Sequence, residues 1–411
     1  MATAVVDIVE SRPHVEPSAF DFSKRFPGLD GLRGLAILLV YFHNYAGGLL
    51  RSQDAATHGG SATIWLITKV LGSIFGIGWI GVALFFVLSG FLITGILYDT
   101  RHDPSYYRKF YARRALRIFP VYYVFAAILV AIGYLVRANW HPGDLLFLVY
   151  LGFPAAFVWP AMIQVSSALH FTHLWSLCVE EQFYLLWPAP VRKLKYPNTL
   201  LQLCAAAIVV SVAFRTLVWT FGWSIGSWSY GFLLGRIDEL AIGAALAILV
   251  RGPWKATIQH LAWPIFLLFA AFLAAICGLR HTVDSNDALI STVGYTVIGT
   301  LCGALLLLAM APGSWVQRLF SLDSLRIVGK YSYGFYVYHA ALAVALNPLR
   351  AQFVTVTRSV ILGSGVYLTF CLGLNLAIAA LSFHCFEAPI MRWKSQFAYP
   401  NASKKAFALA V

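Results

Sequence analysis

Long apolar segments recur along almost the whole chain, and they constrain the fold more than any other feature. The sequence is 60% hydrophobic and only 11% charged, whereas a soluble domain carries about 25% charged residues. A helix needs roughly 20 mostly apolar residues to cross a bilayer. The chain is therefore predicted to be an all-α, polytopic membrane helical bundle. Its candidate spans are residues 34–50, 75–98, 118–136, 145–164, 174–191, 200–220, 230–250, 260–279, 289–311, 331–349 and 360–384.

The distribution of basic residues indicates which of these runs cross the membrane. The formal net charge is +13, and most of the 30 Lys and Arg residues lie between apolar runs. They fall on one side of the membrane if the run at 145–164 does not cross it, which is the pattern of positive cytoplasmic loops. About ten transmembrane helices are therefore predicted, with both termini cytoplasmic. The run at 145–164 contains Pro154 and Pro160 and is predicted to be re-entrant or interfacial.

Composition also limits the other functional classes. The basic residues form no soluble module, so nucleic-acid binding is not predicted. The six cysteines contain no CxxC pair, and neither a metal site nor a disulfide is predicted. The predicted organisation is a polar N-terminal segment at 1–25, a transmembrane domain at 26–394 and a cytoplasmic tail at 395–411.

Ionisable side chains inside apolar runs cost roughly 3 kcal/mol each, so each needs a reason to be there. His43 lies in the first run, close to the predicted centre of the bilayer. An imidazole at that depth can take a proton from a hydroxyl group and return it. A neutral histidine hydrogen-bonded between two helices is an equal alternative from position alone.

Glu180 and Glu181 lie at a similar predicted depth in the run at 174–191. Adjacent helical residues point about 100° apart, so only one of the two carboxylates is expected to face a given partner. A carboxylate beside His43 would orient the imidazole and stabilise its charged form. A structural polar contact between helices is the alternative.

Another charged group, Arg236, Asp238 and Glu239, falls in the first half of the run at 230–250. Arg236 and Glu239 are spaced i,i+3 and are predicted to pair, which leaves Asp238 facing elsewhere. These residues either form buried ion pairs between helices or recognise a polar substrate, and the sequence does not separate the two interpretations.

The densest cationic segment contains Arg113, Arg114 and Arg117. Arg114 and Arg117 share one helical face at the predicted cytoplasmic surface, and guanidinium groups bind phosphate through paired hydrogen bonds. The basic character of any cytoplasmic loop is the alternative. In a later run, Tyr336 and His339 are i,i+3 neighbours that can line a cavity, or the aromatic residues there are interfacial anchors.

Several sequence blocks, in order, resemble the motifs of the acyltransferase-3 family of bacterial integral-membrane proteins. The first is Leu29-Asp30-Gly31-Leu32-Arg33-Gly34, followed by His43. The others are similar to family motifs at residues 81–94, 113–120, 175–188, 331–339 and 387–392. Together the blocks span residues 27–394.

The resemblance implies a membrane-bound O-acyltransferase of the bacterial cytoplasmic (inner) membrane. Such enzymes move an acyl group, usually acetyl, from cytoplasmic acyl-CoA to a hydroxyl of a carbohydrate or glycolipid acceptor. Acyl-CoA is a substrate, so no tightly bound cofactor is expected, and self-association is left open. The resemblance implies that His43 is essential, with Arg33 as its motif partner. The catalytic candidates are then His43, Arg33, Glu180 and Glu181, and the substrate-binding candidates are Asp30, Arg113, Arg114, Arg117, Arg236, Asp238, Tyr336 and His339.

One spacing departs from the family pattern. Relatives usually have ten residues between the motif arginine and the histidine, whereas nine separate Arg33 from His43. Either the helix is locally irregular, or Asn44 occupies the usual position and His43 reaches in from beside it.

A proton-coupled transporter or exporter is the alternative function, because intramembrane His, Glu, Asp and Arg also build proton relays. Many transporters carry internal inverted repeats, and no repeat of fixed period is visible in this sequence.

Overall fold

A computed structural model describes residues 26–53, 71–72, 74–137, 142–151, 171–224 and 226–399. Within these ranges every regular element is helical, as predicted. The segment 1–25, most of the tail at 395–411 and most of the run at 145–164 lie outside the described residues. The domain limits and the re-entrant element therefore stay predictions.

The α-helices follow the apolar runs of the sequence. They are α1 (Pro27–Gln53), α2 (Ile80–Thr100), α3 (Tyr106–Leu135), α4 (Pro142–Leu148), α5 (Trp175–Leu186), α6 (Pro188–Lys193), α7 (Pro197–Thr220), α8 (Leu233–Leu249), α9 (Lys255–Arg280), α10 (Tyr295–Met310), α11 (Trp315–Phe320), α12 (Asp323–Lys330), α13 (Ser332–Leu346), α14 (Leu349–Thr357), α15 (Val360–Ser382) and α16 (Ala388–Met391). Each of the ten runs predicted to cross the membrane coincides with helix, because helices satisfy their own backbone hydrogen bonds in an apolar medium.

Short 3₁₀ and π turns join or extend several of these helices. The 3₁₀ turns are Ile77–Trp79, Phe171–Leu174 and Arg392–Phe397, and the π-helical turns are Gly226–Tyr230, Ile290–Gly294 and Phe383–Glu387.

Six helices in the described part of the chain are long and apolar enough to cross a membrane. They are Ile74–Thr100, Tyr106–Leu135, Pro197–Thr220, Lys255–Arg280, Ile290–Met310 and Val360–Phe397. The helices α1, α5, α8 and α13 are not among them, and these four carry most of the predicted site residues. The count of ten crossings and the cytoplasmic location of both termini stay predictions.

The apolar helices divide into central and peripheral ones. The apolar window of the segment that contains α2 is 78% buried inside the protein, whereas that of α9 is only 11% buried. Leu267, Leu268 and Phe272 of α9 are exposed. Exposed side chains of this kind on a membrane helix are suited to contact with lipid tails.

Small residues allow close approach where the first helix meets α12. A Cβ atom added at Gly34 would collide with the carbonyl oxygen of Leu325, and one added at Gly329 would collide with that of Asp30. The two backbones therefore touch, as small residues permit in membrane bundles. This contact holds the end of α1 that carries Arg33.

A buried ion pair joins α7 to α8. Arg215 Nη2 lies 2.9 Å from Asp238 Oδ2, and both side chains are completely buried. Arg215 also donates to the carbonyls of Gly235 and Thr292. Asp238, which the sequence left without a partner, is therefore held by an arginine from the neighbouring helix.

The predicted pairing of Arg236 with Glu239 is confirmed, with Nη2 and Oε2 3.0 Å apart and both side chains completely buried. The guanidinium also lies among aromatic rings, 4.4 Å from the ring centre of Tyr295 and 5.1 Å from that of Tyr230. Cation–π attraction therefore supplements the ion pair.

Asp238→Ala should destabilise the bundle strongly, because it leaves the Arg215 guanidinium buried without its counter-charge. Removing one partner of a buried pair typically costs about 3–5 kcal/mol. Thermal unfolding of the purified protein in detergent should show a large fall in Tm.

Asp323→Ala is the matched control, since Asp323 also pairs with an arginine but is 85% exposed. Exposed pairs contribute little. A Tm of Asp238→Ala no lower than that of Asp323→Ala would contradict a structural role for the buried pair.

Candidate active site

Three adjoining cavities connect most of the site residues predicted from the sequence. We name them the arginine, glutamate and histidine cavities, with volumes of about 30, 100 and 450 Å³. The first two share Arg33, Arg114 and Arg117 in their walls. The last two share Val82 and Tyr336. The cavities are therefore neighbours, in the order arginine, glutamate and histidine, with the cationic cavity at one end and His43 at the other.

The arginine cavity collects positive charge from three parts of the chain. Arg33 comes from α1, whereas Arg113, Arg114 and Arg117 come from α3 and Lys394 from the turn Arg392–Phe397. No carboxylate occurs among the described residues that line it. Cations held this closely repel one another, so the cavity is suited to a polyanion such as a phosphate ester.

Two residues of this cavity were missed by the sequence analysis. Lys394 is only 8% exposed, although it lies at the end of the predicted transmembrane domain, beside the tail. Tyr399 also lines the cavity, and the Lys109 and Arg113 cations lie 5.4 and 5.8 Å from its ring centre. Only the return of the C-terminal segment onto α3 places them there, and no sequence pattern indicated that contact.

Asp30 lines none of the three cavities, but it contacts Arg33, which lines two of them. Its Oδ1 lies 3.4 Å from Arg33 Nη1. The distance is long for a hydrogen bond, so the contact is chiefly electrostatic. Asp30 is buried, and its predicted role in binding a substrate stays a prediction.

In the glutamate cavity, one of the two adjacent acidic residues faces the interior. Glu180 accepts hydrogen bonds from Ser89 Oγ at 2.7 Å and from the Tyr184 hydroxyl at 3.2 Å. The Arg114 guanidinium lies 5.1 Å from the centre of the Tyr184 ring. Glu181 lines none of the three cavities in the described part of the chain. The expectation that only one carboxylate faces a given site is met by Glu180.

Tyr336 stands at the boundary between the glutamate and histidine cavities. Its hydroxyl donates to the carbonyl of His173 at 2.9 Å. Since that hydroxyl has only one proton, Ser176 Oγ must be the donor in the 2.6 Å contact between the two side chains. These two hydrogen bonds fix the Tyr336 side chain. Tyr336 lines both cavities, as the sequence predicted.

His43 lines the histidine cavity, and its ring is oriented by backbone. Nδ1 lies 3.0 Å from the carbonyl oxygen of Gly76. A carbonyl oxygen only accepts, so Nδ1 carries the proton and the lone pair of the neutral ring is on Nε2. A carbonyl can thus fix the histidine tautomer in the way that a carboxylate does in other sites.

The predicted orientation of His43 by Glu180 or Glu181 receives no support from the hydrogen bonds of Glu180, which go to Ser89 and Tyr184. His43 and Glu180 line different, adjoining cavities. Contact between a carboxylate and His43 stays a prediction, and the Gly76 carbonyl is the orienting group that the structure places beside the ring.

A glycine makes this arrangement possible. A Cβ atom at Gly78 would collide with the carbonyl oxygen of Leu39 and would lie 2.8 Å from the Cβ of His43. The turn Ile77–Trp79 can therefore lie directly against α1, with the Gly76 carbonyl beside the imidazole.

The unusual spacing between Arg33 and His43 is accommodated without a break in α1, which is continuous from Pro27 to Gln53. His43 and Asn44 both line the histidine cavity. Asn44 Nδ2 lies 3.2 Å from His339 Nε2, and His339 Nδ1 lies 2.6 Å from the carbonyl of Tyr336. His339 is therefore neutral, with a proton on Nδ1, and accepts from Asn44 through Nε2.

Arg236 and Asp238 line none of the three cavities among their described residues. Their placement favours the structural interpretation that the sequence left open, namely buried ion pairs within and between helices. Direct recognition of a substrate by these two residues stays a prediction.

A cationic cavity and a cavity lined by a half-buried histidine thus lie close together within the helical bundle, and comparison with known proteins identifies the class of protein. A sequence profile described as an acyltransferase domain matches residues 26–383. The chain belongs to the acyltransferase-3 family.

Several curated relatives are similar over most of the chain. The peptidoglycan O-acetyltransferase OatA of Listeria monocytogenes is 26% identical over 393 residues, which cover 90% of this chain and 57% of that protein. The putative peptidoglycan O-acetyltransferase YrhL of Bacillus subtilis is 26% identical over 89% of this chain and 54% of its own length. The O-acetyltransferase OatA of Staphylococcus aureus is 25% identical over 95% and 61%.

The chain thus spans little more than half the length of the curated relatives it matches. No solved structure matches it significantly.

Gly78→Ala should impair acyl transfer more than folding, because the added methyl group would push the turn at Ile77–Trp79 away from α1 and take the Gly76 carbonyl off His43. Misplacement of a catalytic group by about 1 Å can cost roughly 100-fold in rate. Initial rates of acyl transfer, normalised to folded protein, would measure the effect.

Gly278→Ala is the matched control, because a Cβ atom there meets nothing within 4 Å and alanine favours helix. Equal activity of the two variants would contradict the positioning role of the Gly76 carbonyl.

Proposed function

We propose that the chain is a membrane O-acyltransferase that moves an acetyl group from acetyl-CoA to a hydroxyl of a carbohydrate acceptor. One observation carries the proposal. Three neighbouring cavities, each sharing wall residues with the next, lie between a cluster of four arginines with Lys394 and His43. The family and the names of the relatives support acetyl as the acyl group and a cell-wall carbohydrate as the class of acceptor.

The donor enters at the arginine cavity. The phosphate groups of CoA are polyanionic, and Arg113, Arg114 and Arg117 supply guanidinium groups together with the ammonium of Lys394. The arginine and glutamate cavities are small, at about 30 and 100 Å³, compared with ligand sites of roughly 300–1,000 Å³. The nucleotide of CoA therefore stays outside, beside the arginines, and side chains of the two cavities must move to admit its arm.

The acceptor occupies the histidine cavity, whose volume of about 450 Å³ lies within the range of small-molecule sites. His43 Nε2 removes the proton of the acceptor hydroxyl while its oxygen attacks the thioester carbonyl. The carbon–sulfur bond then breaks, and the proton on His43 passes to the departing thiolate. The products are the acetyl ester and CoA, and His43 returns to its neutral form.

The remaining residues of the cavities support this reaction without entering it. Arg33 completes the cationic wall, Ser89 and Tyr184 hold Glu180, and Ser176 holds Tyr336 at the boundary that the thioester must reach. The apolar surroundings favour transfer to the acceptor over transfer to water. The proposed location is the bacterial cytoplasmic membrane, with the arginine cavity on the cytoplasmic side.

His43→Ala should lower the rate of acetyl transfer by about 10²–10⁴-fold, which is the usual contribution of a general base. Acetyl-CoA should still bind, since the arginine cavity is unchanged. Ester formation from radiolabelled acetyl-CoA in reconstituted membranes provides the measurement.

His260→Ala is the control, because His260 is exposed on α9. Full activity of His43→Ala would eliminate His43 as the base.

Arg114→Ala should raise the Kd for acetyl-CoA by about 10- to 100-fold, the effect of losing a hydrogen bond between charged groups. Equilibrium binding to the protein in lipid nanodiscs would test this, with Arg326→Ala on α12 as the control. Salt should weaken the binding of the unaltered protein, because the interaction is between charges. An unchanged Kd in Arg114→Ala would place the donor elsewhere.

A further inference from the structure

The histidine cavity differs in chemistry from the two cavities that precede it. Among the described residues that line it there is no carboxylate, lysine or arginine. Its polar side chains are the imidazoles of His43, His173 and His339, the amide of Asn44 and the tyrosines Tyr230 and Tyr336, and its largest apolar surfaces are aromatic rings. A charged ligand group buried there would have no opposite charge in that described lining, and burial of an unpaired charge is costly.

Aromatic rings form one wall of this cavity. Trp79, Trp175 and Tyr230 line it, and the ring centres of Trp175 and Tyr230 are 4.6 Å apart. Trp79 is anchored through its Nε1, which donates to the carbonyl of Val283 at 3.1 Å. The C–H bonds on the face of a pyranose ring carry a slight positive charge, and the π face of an aromatic ring is negative. The wall therefore suits a sugar ring stacked against it.

A buried guanidinium group, that of Arg236, lies behind this aromatic wall. The Arg236 guanidinium lies 5.1 Å from the centre of the Tyr230 ring and 6.0 Å from that of Trp175. No guanidinium nitrogen of Arg236 has a hydrogen-bond partner among the described residues. Its interactions are the ion pair with Glu239 and the contacts with aromatic rings, so its charge holds these rings in place. Tyr230 also ends the π-helical turn Gly226–Tyr230, and such turns are common at functional sites.

We propose that the histidine cavity is an acceptor subsite for an uncharged pyranose ring, which stacks on Trp175 and Tyr230 and presents a hydroxyl to His43. Asn44 and the other histidines supply neutral hydrogen-bonding groups for the remaining hydroxyls. Arg236 acts behind the wall as a positioning residue. The inference rests on the proposed function, since it names the class of acceptor and the residues that select it.

The test is binding of two oligosaccharide probes to the full chain in lipid nanodiscs, followed by ligand-observed NMR. The neutral probe is chitotetraose and the anionic probe is tetragalacturonate. Chitotetraose should bind saturably and at least about tenfold more tightly than tetragalacturonate. Tyr230→Leu and Trp175→Leu should each weaken chitotetraose binding by about tenfold, because each removes one ring of the wall.

The matched controls are Tyr196→Leu and Trp219→Leu, which replace exposed aromatic residues outside the cavity and should leave binding unchanged. Tyr230→Phe keeps the ring and should retain affinity. Acetyl-CoA binding by each variant shows that the bundle is folded and that the donor end is intact.

Three results would contradict the proposed subsite. They are no binding of chitotetraose, equal affinity for the two probes, and unchanged affinity in both leucine variants. A wild-type chain that binds chitotetraose selectively but does not bind acetyl-CoA would leave the subsite in place and overturn the proposed function. If the chain binds acetyl-CoA but does not distinguish the two oligosaccharides, the subsite is overturned and the proposed function stands.

Discussion

A charge buried in an apolar helical bundle must find its compensation inside the protein, because lipid offers none. In this chain two ion pairs on α8 meet that requirement in different ways. Asp238 is paired with Arg215 of α7 and accepts a hydrogen bond from the hydroxyl of Thr296. Arg236 is paired with Glu239 and lies among aromatic rings. The first pair joins two helices, and the second fixes the aromatic wall of the histidine cavity.

The helices that can serve as scaffold differ from several of those that carry site residues. The segments containing α2 and α10 are apolar almost throughout and largely buried, so they can serve as scaffold. In contrast, α5, α8 and α13 have 12, 17 and 15 residues, whereas a helix needs roughly 20 to cross a bilayer. Glu180 of α5 and His339 of α13 line cavities, and Arg236 and Asp238 of α8 form buried ion pairs.

The order of the cavities gives the proposed reaction its direction. Positive charge is concentrated at one end, a single carboxylate with its hydroxyl partners lies in the middle, and neutral hydrogen-bonding groups with aromatic rings line the other end. An anionic donor and an uncharged acceptor would therefore approach from opposite ends and meet near Tyr336 and His43. Membership of the acyltransferase-3 family is the independent support for this proposal.

The sequence by itself determined the helical class, the positions of the ten apolar runs that coincide with helices, the i,i+3 pair of Arg236 and Glu239, and the family motifs. These features depend on local periodicity, which a single segment contains. Only the tertiary structure decided that Glu180 rather than Glu181 lines a cavity, that Arg215 partners Asp238, that Gly76 orients His43, and that Lys394 joins the arginines. Those contacts depend on which helix faces which, and a segment's own sequence does not specify the neighbour against which it will pack.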